Sequence, residues 1–377
     1  MRIIVNAISS HTGGIVTYTT NLIEFLGASD VEAIIYVPAD FKVRGVVTPN
    51  IQLKPARSRF FGPIHRFLWE QITWRNLVKK SGADIVYSSA NYGILFPPIK
   101  QVLLVQGEIN LNPIYRELVL PHLGLREKIS AFLRRHLMLF SARHSETAIF
   151  PSEVARDSAL YYGQDLAEKS IVNYLGVNPQ FSKSYDIRSW RANKLLRLVY
   201  VSVYYPHKDP LTLAEAAKLL SENGIQTLAR ITMEIKDFHV WDKSISELQS
   251  LQSARYKDVL EIGRISHSTL GDALKEFDVF VFPSMAETFG FPMVEAMRAG
   301  IPLVVSDIPV PREICGDGAL YFELGNPHDL MERILELDRD EALRYRLAKL
   351  GLERVQRIFT WENHVGKLIK LMQPLAV

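Results

Sequence analysis

Cysteine is almost missing from this chain of 377 residues: Cys315 stands alone, so no internal disulfide can form and the fold must rest on its packed core. No Cys/His cluster has metal-ligand spacing, and no metal is expected. Long apolar runs are also missing, none approaching the roughly 20 residues that a membrane span needs. The N-terminus, MRIIVNAI, enters a strand at once, without the basic stretch, apolar core and cleavage site of a signal peptide. These absences predict a soluble cytoplasmic chain, or one peripheral on the cytoplasmic face of the membrane. Low-complexity tracts and solenoid-period repeats are absent too, and 47% hydrophobic with 23% charged residues is a globular composition. At 42.9 kDa the chain exceeds one ordinary core, which leaves two α/β domains or one large barrel.

The net charge of +3 hides an asymmetry. Residues 1–180 hold 19 Lys/Arg against 14 Asp/Glu, and the remainder 25 against 27. Most of the basic excess lies in 54–80, where Lys54, Arg57, Arg59, Arg66, Arg75, Lys79 and Lys80 face a single acid, Glu70. Interleaved with Phe60, Phe61, Phe67, Trp69 and Trp74, this segment reads either as a patch for an anionic acceptor or membrane surface, or as a solvated helix face. Outside it the bases are diluted by acids, so nucleic-acid binding is not expected.

Short β-branched runs alternate with longer helical patterns, the signature of βαβ units and parallel sheets. Strands are predicted at 2–8, 32–37, 83–89, 101–106 and 147–152, and then at 196–203, 227–235, 259–263, 278–284 and 302–306. Between the two sets, YLGVNPQFSKSYDIRSWRANK loses periodicity and places a boundary near 178–194. Domains are accordingly expected at 1–180 and 181–357, with a terminal helix at about 358–377 packing back on the first.

The most informative stretch runs from Asp278 to Asp307 and reads strand, loop, short helix, strand. Pro292 suits a helix start and Gly300 the left-handed residue after its end, so the helix is predicted from Pro292 to about Ala299. This puts Glu287 in the loop at the carboxyl end of a parallel strand and Glu295 in the first helical turn, on the side where α/β sheets bind ligands. The helix start offers unpaired N–H groups and a positive dipole end, and Gly290 allows close backbone approach. Carboxylates repel phosphate but accept from sugar hydroxyls, which assigns Glu287 to a sugar and Glu295 to a ribose. From spacing alone a second reading stands beside this one: an acid that stabilises a helix N-terminus, with Glu287 an ordinary loop residue.

A second strand-loop-helix unit, VYVSVYYPHKDPLTLAEA, has Asp209 as N-cap, Pro210 at the first helical position and Gly224 beyond the end. Lys208 in this turn would neutralise a leaving diphosphate, while His207 reads as a capping or solvent-exposed histidine. Near the N-terminus, Gly13 and Gly14 between strand and helix allow a tight turn beside a ligand. They do not form GxGxxG, which disfavours a nicotinamide cofactor. The one D-x-D, Asp338 to Asp340, lies in a polar helical region and reads as structural.

Together these segments resemble the retaining glycosyltransferases of family four, which have the GT-B fold of two Rossmann-like domains facing across a cleft. The family's E-x7-E motif is matched by Glu287 and Glu295 within FPSMAETFGFPMVEAMRAGIPLVVSD. The YPHK loop, SARHSETAIFPSEVARDSALYYG, YLGVNPQF and FTWENH extend the resemblance over nearly the whole chain. It implies a metal-independent retaining transferase without cofactor, taking a nucleotide-sugar donor and a saccharide or lipid-linked acceptor. It also places the diphosphate lysine on Lys208, the ribose acid on Glu295 and the sugar acid on Glu287. The backbone of Thr288, Phe289 and Gly290 would hold sugar and phosphates, the base would lie near Gly263, Arg264 and Ile265, and Gly13 and Gly14 would approach the diphosphate. Domain closure on the donor would follow.

Two departures stand out. Relatives carry an arginine where this chain has Val203, so that Arg264 or Lys236 would have to substitute. They also carry a histidine where this chain has Gln106, which can hydrogen-bond but cannot take up a proton; Gln106 and His11 are the acceptor-side candidates. Two competing readings remain: a nucleotide-sugar 2-epimerase, which shares two Rossmann-like domains, and a non-catalytic sugar-nucleotide-binding or assembly protein, which the missing arginine and histidine favour. Intact Glu287, Lys208 and Glu295 favour the transferase.

Overall fold

A computed structural model describes residues 1–11, 14–43, 46–57, 62–89, 91–107, 109–177, 190–239, 244–266 and 269–376. Most of the expected linker, and Gly13 of the glycine pair, lie outside these residues. The chain divides into two units. The first takes Met1–Leu111, Ser130–Asn178 and Phe359–Val377; the second takes Asn112–Ile129 and Pro179–Ile358. The excursion of 112–129 into the second unit has no counterpart in the boundaries read from the sequence.

The first unit holds seven strands, β1 (Arg2–Asn6), β2 (Glu32–Pro38), β3 (Ile51–Ala56), β4 (Ile85–Ser88), β5 (Lys100–Leu104), β6 (Thr147–Phe150) and β7 (Ser170–Val172). They pair in parallel in the order β3-β2-β1-β4-β5-β6-β7. Every residue of β4 and β6 is buried, as expected of a parallel sheet covered on both faces. On one face Ile4, Ile34 and Val86 pack with Trp74 and Val78. Within 54–80, Trp74 is fully buried and Trp69 stacks on it at 6.1 Å, so these two rings belong to the core, while Arg59, Phe60 and Phe61 lie outside the described residues.

On the other face Tyr87 reaches helix Gly14–Gly27, its hydroxyl 2.5 Å from that of Tyr18. Tyr18 lies 3.0 Å from Nε2 of His364, on the terminal helix Trp361–Met372. His364 Nδ1 faces the Tyr174 carbonyl at 3.0 Å, so Nδ1 carries the proton and Nε2 accepts from Tyr18. Burial holds the His364 pKa down to about 4. The helix seats closely, since a Cβ on Gly176 would fall 2.5 Å from the Trp361 nitrogen.

The second unit has six parallel strands, β8 (Leu196–Tyr200), β9 (Thr227–Ile231), β10 (Leu260–Ile262), β11 (Val279–Phe282), β12 (Leu303–Ser306) and β13 (Ala319–Phe322). Their order is β10-β9-β8-β11-β12-β13, so sequence direction reverses between β8 and β11. That order is the doubly wound Rossmann arrangement, which opens a crevice at the carboxyl ends of the two strands flanking the reversal. Among the described residues no helix is long and apolar enough to cross a membrane.

Candidate active site

The loops that follow β8 and β11 leave the sheet at its topological switch point and are tied together. Met285 N–H donates to the His207 carbonyl at 2.8 Å, and the buried Tyr200 hydroxyl donates to the Lys208 carbonyl at 2.9 Å. Asp209, at φ 45°, caps helix Pro210–Glu222 by accepting from Thr212 N–H; this left-handed conformation is one that Asp tolerates. Burial raises the Asp209 carboxyl to about 6 despite its bonds to Thr212.

This framework brings Lys208 Nζ to 2.5 Å from Glu287 Oε1, with side-chain exposures of only 12% and 10%. The Phe282 ring lies 5.6 Å from the ammonium. Two opposite charges so little solvated hold each other strongly, and each is costly to leave alone. The Glu287 carbonyl accepts from Asn112 Nδ2 at 3.2 Å.

Helix Phe291–Arg298 begins beyond this loop, with Gly290 as its N-cap at φ 82° and Gly300 at φ 68° past its end. Glycine is favoured at 290 by the left-handed backbone; a Cβ there would also fall 2.3 Å from Met293 Cε, the flexible end of a side chain that would have to shift. Glu295 is the fifth helical residue, past the first turn where the sequence reading put it, and the first turn holds no acid. Helical side chains lean toward the N-terminus, so the carboxylate still lies over the preceding turn, and it is 5% exposed.

Other expected residues fall differently. Arg264 is 69% exposed, donates to Glu234 at 2.8 Å, and shares that carboxylate with Lys236 at 2.5 Å. The pair holds Glu234 below its ordinary pKa, Lys236 being the larger cause. Ile265 is half-buried, while Val203 is 54% exposed and brings no cation to the loop. Gly14 opens its helix from an exposed position, His11 faces Asp40 at 3.9 Å, and Gln106 lies just beyond β5; all three belong to the first unit.

His207 is buried rather than exposed, between the rings of Tyr115 and Tyr205 at 5.6 and 5.7 Å. Burial and then the Lys208 charge push its pKa well below the usual histidine value, so the imidazole is neutral. Its Nδ1 is buried without a hydrogen-bond partner. Asn112 and Tyr115 escaped the sequence reading because their partners lie far along the chain, 175 residues on for Asn112. Glu247 also escaped it: burial lifts its carboxyl to about 7, and it accepts from Tyr204 in the same loop at 2.6 Å. The D-x-D acids are structural, Asp338 accepting from Trp190 at 2.7 Å and Asp340 from Leu343 N–H at 2.9 Å. Among the described residues no group of three or more His, Cys, Asp or Glu converges as metal ligands.

Residues 185–354 match the family Glycosyl transferases group 1. An uncharacterized glycosyltransferase of Methanocaldococcus jannaschii is 24% identical over 370 residues, 97% of this chain and 96% of that protein. The O-antigen chain mannosyltransferase RfbU of Salmonella typhimurium is 31% identical over 199 residues, 52% of this chain and 51% of that one. Among solved structures, sucrose-phosphate synthase from Thermosynechococcus elongatus superposes with a TM-score of 0.77 at 17% identity, over 100% of this chain and 99% of that one. Anabaena HepE in complex with UDP-glucose gives 0.74 at 14%, over 99% and 100%. These likenesses show the GT-B fold.

Proposed function

We propose that this chain, which belongs to the glycosyl transferases group 1 family, moves a hexosyl group from a nucleoside-diphosphate sugar to a saccharide or lipid-linked acceptor, with retention at the anomeric carbon. The observation that carries the proposal is the Lys208–Glu287 pair at the β8/β11 switch point, beside the start of the helix that bears Glu295. The donor's diphosphate takes Lys208, its sugar hydroxyls take Glu287, and its ribose takes Glu295. Backbone groups of Thr288, Phe289 and Gly290 line its sugar and phosphates, and the base lies along Gly263, Arg264 and Ile265.

In the step itself, the bond from the anomeric carbon to the β-phosphate oxygen breaks and the acceptor oxygen bonds to the same face of that carbon. The acceptor proton passes to the departing phosphate oxygen. Lys208 neutralises the charge that grows on that phosphate, an interaction stronger in the transition state than before it, and the helix start adds dipole. These groups supply the positive charge without a metal ion. Arg264 and Lys236, both held by Glu234, are poor replacements for the cation missing at Val203, so Lys208 bears more of the load.

UDP is the proposed nucleotide, supported by the HepE complex with UDP-glucose, and an acceptor in polysaccharide or glycoconjugate biosynthesis is supported by the O-antigen relative. Thermal-shift screening against UDP-, GDP- and ADP-sugars, then mass spectrometry and NMR of acceptor products, tests the proposal. A product with retained anomeric configuration is expected. Isomerised sugar nucleotide without acceptor would indicate an epimerase, and binding without turnover would indicate a non-catalytic protein.

A further inference from the structure

A line of hydroxyls crosses the carboxyl ends of three neighbouring strands in the second unit. Tyr200 ends β8, Ser284 stands two residues past β11, and Ser306 ends β12. All three are fully buried, at a place where strands covered on both faces ordinarily carry apolar side chains. A buried hydroxyl is costly unless bonded, so the partners of these three show what they hold. The bonds lead to the backbone of the two loops that carry Lys208 and Glu287. The Tyr200 hydroxyl gives its one proton to the Lys208 carbonyl at 2.9 Å, and Ser284 Oγ, 3.3 Å away, therefore donates to Tyr200. Ser306 Oγ donates to the Ser284 carbonyl at 2.6 Å. The residue after Ser284, Met285, donates to the His207 carbonyl, so the line closes on both loops. Burial pushes the Tyr200 hydroxyl well above the ordinary tyrosine pKa, and the Glu287 charge adds to this, which keeps it a donor.

We infer that Tyr200 is a positioning residue for the transfer, its hydroxyl fixing the Lys208 backbone so that the ammonium meets the charge that grows on the departing phosphate. The inference rests on the role proposed above for Lys208. A lysine carries its charge on a long flexible stem, so it holds one place only if its backbone is fixed and its path is narrow. The path is bounded by the Phe282 ring, 5.6 Å from the ammonium, and Tyr200 packs edge-on against that ring at 5.6 Å. As for the backbone, the Lys208 N–H bonds to the Tyr205 carbonyl at 2.9 Å, but that bond lies inside the loop and moves with it. The Tyr200 hydroxyl ties the loop to the sheet, and Ser284 and Ser306 extend the tie to the strand ends that carry the Glu287 loop.

Release of UDP from UDP-glucose by the full chain and its Tyr200→Phe variant, each with and without Lys208→Met, tests it. Tyr200→Phe keeps the ring and its contact with Phe282 and removes only the tie. Its kcat should fall about 10–100-fold, the cost of a catalytic group displaced by up to about 1 Å, while the donor KM changes by less than about threefold. In the Lys208→Met background the same substitution should change kcat by less than about twofold, since a residue that acts through Lys208 then has nothing left to position. A melting temperature within about 5 °C of the parent checks that Tyr200→Phe folds. Ser284→Ala, which removes the donor to Tyr200, should show a smaller loss with the same dependence on Lys208, and it carries the test if Tyr200→Phe does not fold. An equal loss in both backgrounds would mark a general structural role and overturn the inference. So would a Tyr200→Phe enzyme that turns over like its parent while Lys208→Met does not. Parental turnover by Lys208→Met would instead remove the reading of Lys208 itself, and the inference with it.

Discussion

Replacing Lys208 by Met separates its chemical role from its structural one. The ammonium sits 2.5 Å from Glu287 with both side chains about nine-tenths buried, so its removal leaves a carboxylate in a poorly solvated site without its cation. Breaking one side of such a pair costs about 3–5 kcal/mol. At about 2–4 °C per kcal/mol for a unit of this size, the melting temperature of the second unit should fall by roughly 6–20 °C. The double variant Lys208→Met/Glu287→Gln removes both charges and should recover most of that loss. Turnover should behave differently. Loss of one cation at the developing phosphate charge costs about 10²–10³ in kcat, and the double variant should recover none of it. Calorimetry gives the stability half, and donor turnover at saturating sugar nucleotide gives the other. If the double variant regained activity together with stability, Lys208 would serve only to neutralise Glu287, and the reasoning would fail.

Three further outcomes follow from the geometry. Glu295→Gln should raise the donor KM by about tenfold while changing kcat less, as expected for a charged hydrogen bond to a remote part of the donor; an unchanged KM would remove Glu295 from the site. Gly290→Ala should cost about 1–3 kcal/mol in denaturant unfolding, from the φ of 82° and the displaced Met293 methyl; a loss below about 0.5 kcal/mol would contradict the account of that turn. Since the His364 pKa falls from 6.5 to about 4 on burial, the fold favours its neutral form. That contribution, about 3 kcal/mol, is whole above pH 6.5 and is lost as pH falls toward 4. His364→Asn should therefore flatten the acid limb of first-unit stability over that range, and an unaltered limb would show that another group sets it.

How far the sequence disclosed this structure depended on how deeply each element is buried. Strands such as Val279–Phe282 and Leu303–Ser306 are buried on both faces and announce themselves as continuous apolar runs. The three strands missed, Ile51–Ala56, Ser170–Val172 and Ala319–Phe322, all lie at sheet edges. There one side of the strand goes unpaired, so Pro55 is tolerated and a run of three or four residues suffices. Asp209, Gly224, Gly290 and Gly300 were legible as punctuation because their backbone conformations restrict which residues fit. Glu287 and Lys208 were legible as chemistry, each at the end of a parallel strand. Their contact was not, since it depends on the strand order that sets β8 beside β11, and local pattern does not encode that order. The burial of His207 and the bond from Asn112 to the Glu287 carbonyl were hidden for the same reason.

The most direct measurement is a crystal structure with a non-hydrolysable UDP-sugar bound. The diphosphate should displace Glu287 as the partner of Lys208 Nζ, with a sugar hydroxyl on Glu287 and the ribose on Glu295. A nucleotide held away from the loops that follow β8 and β11 would contradict the account.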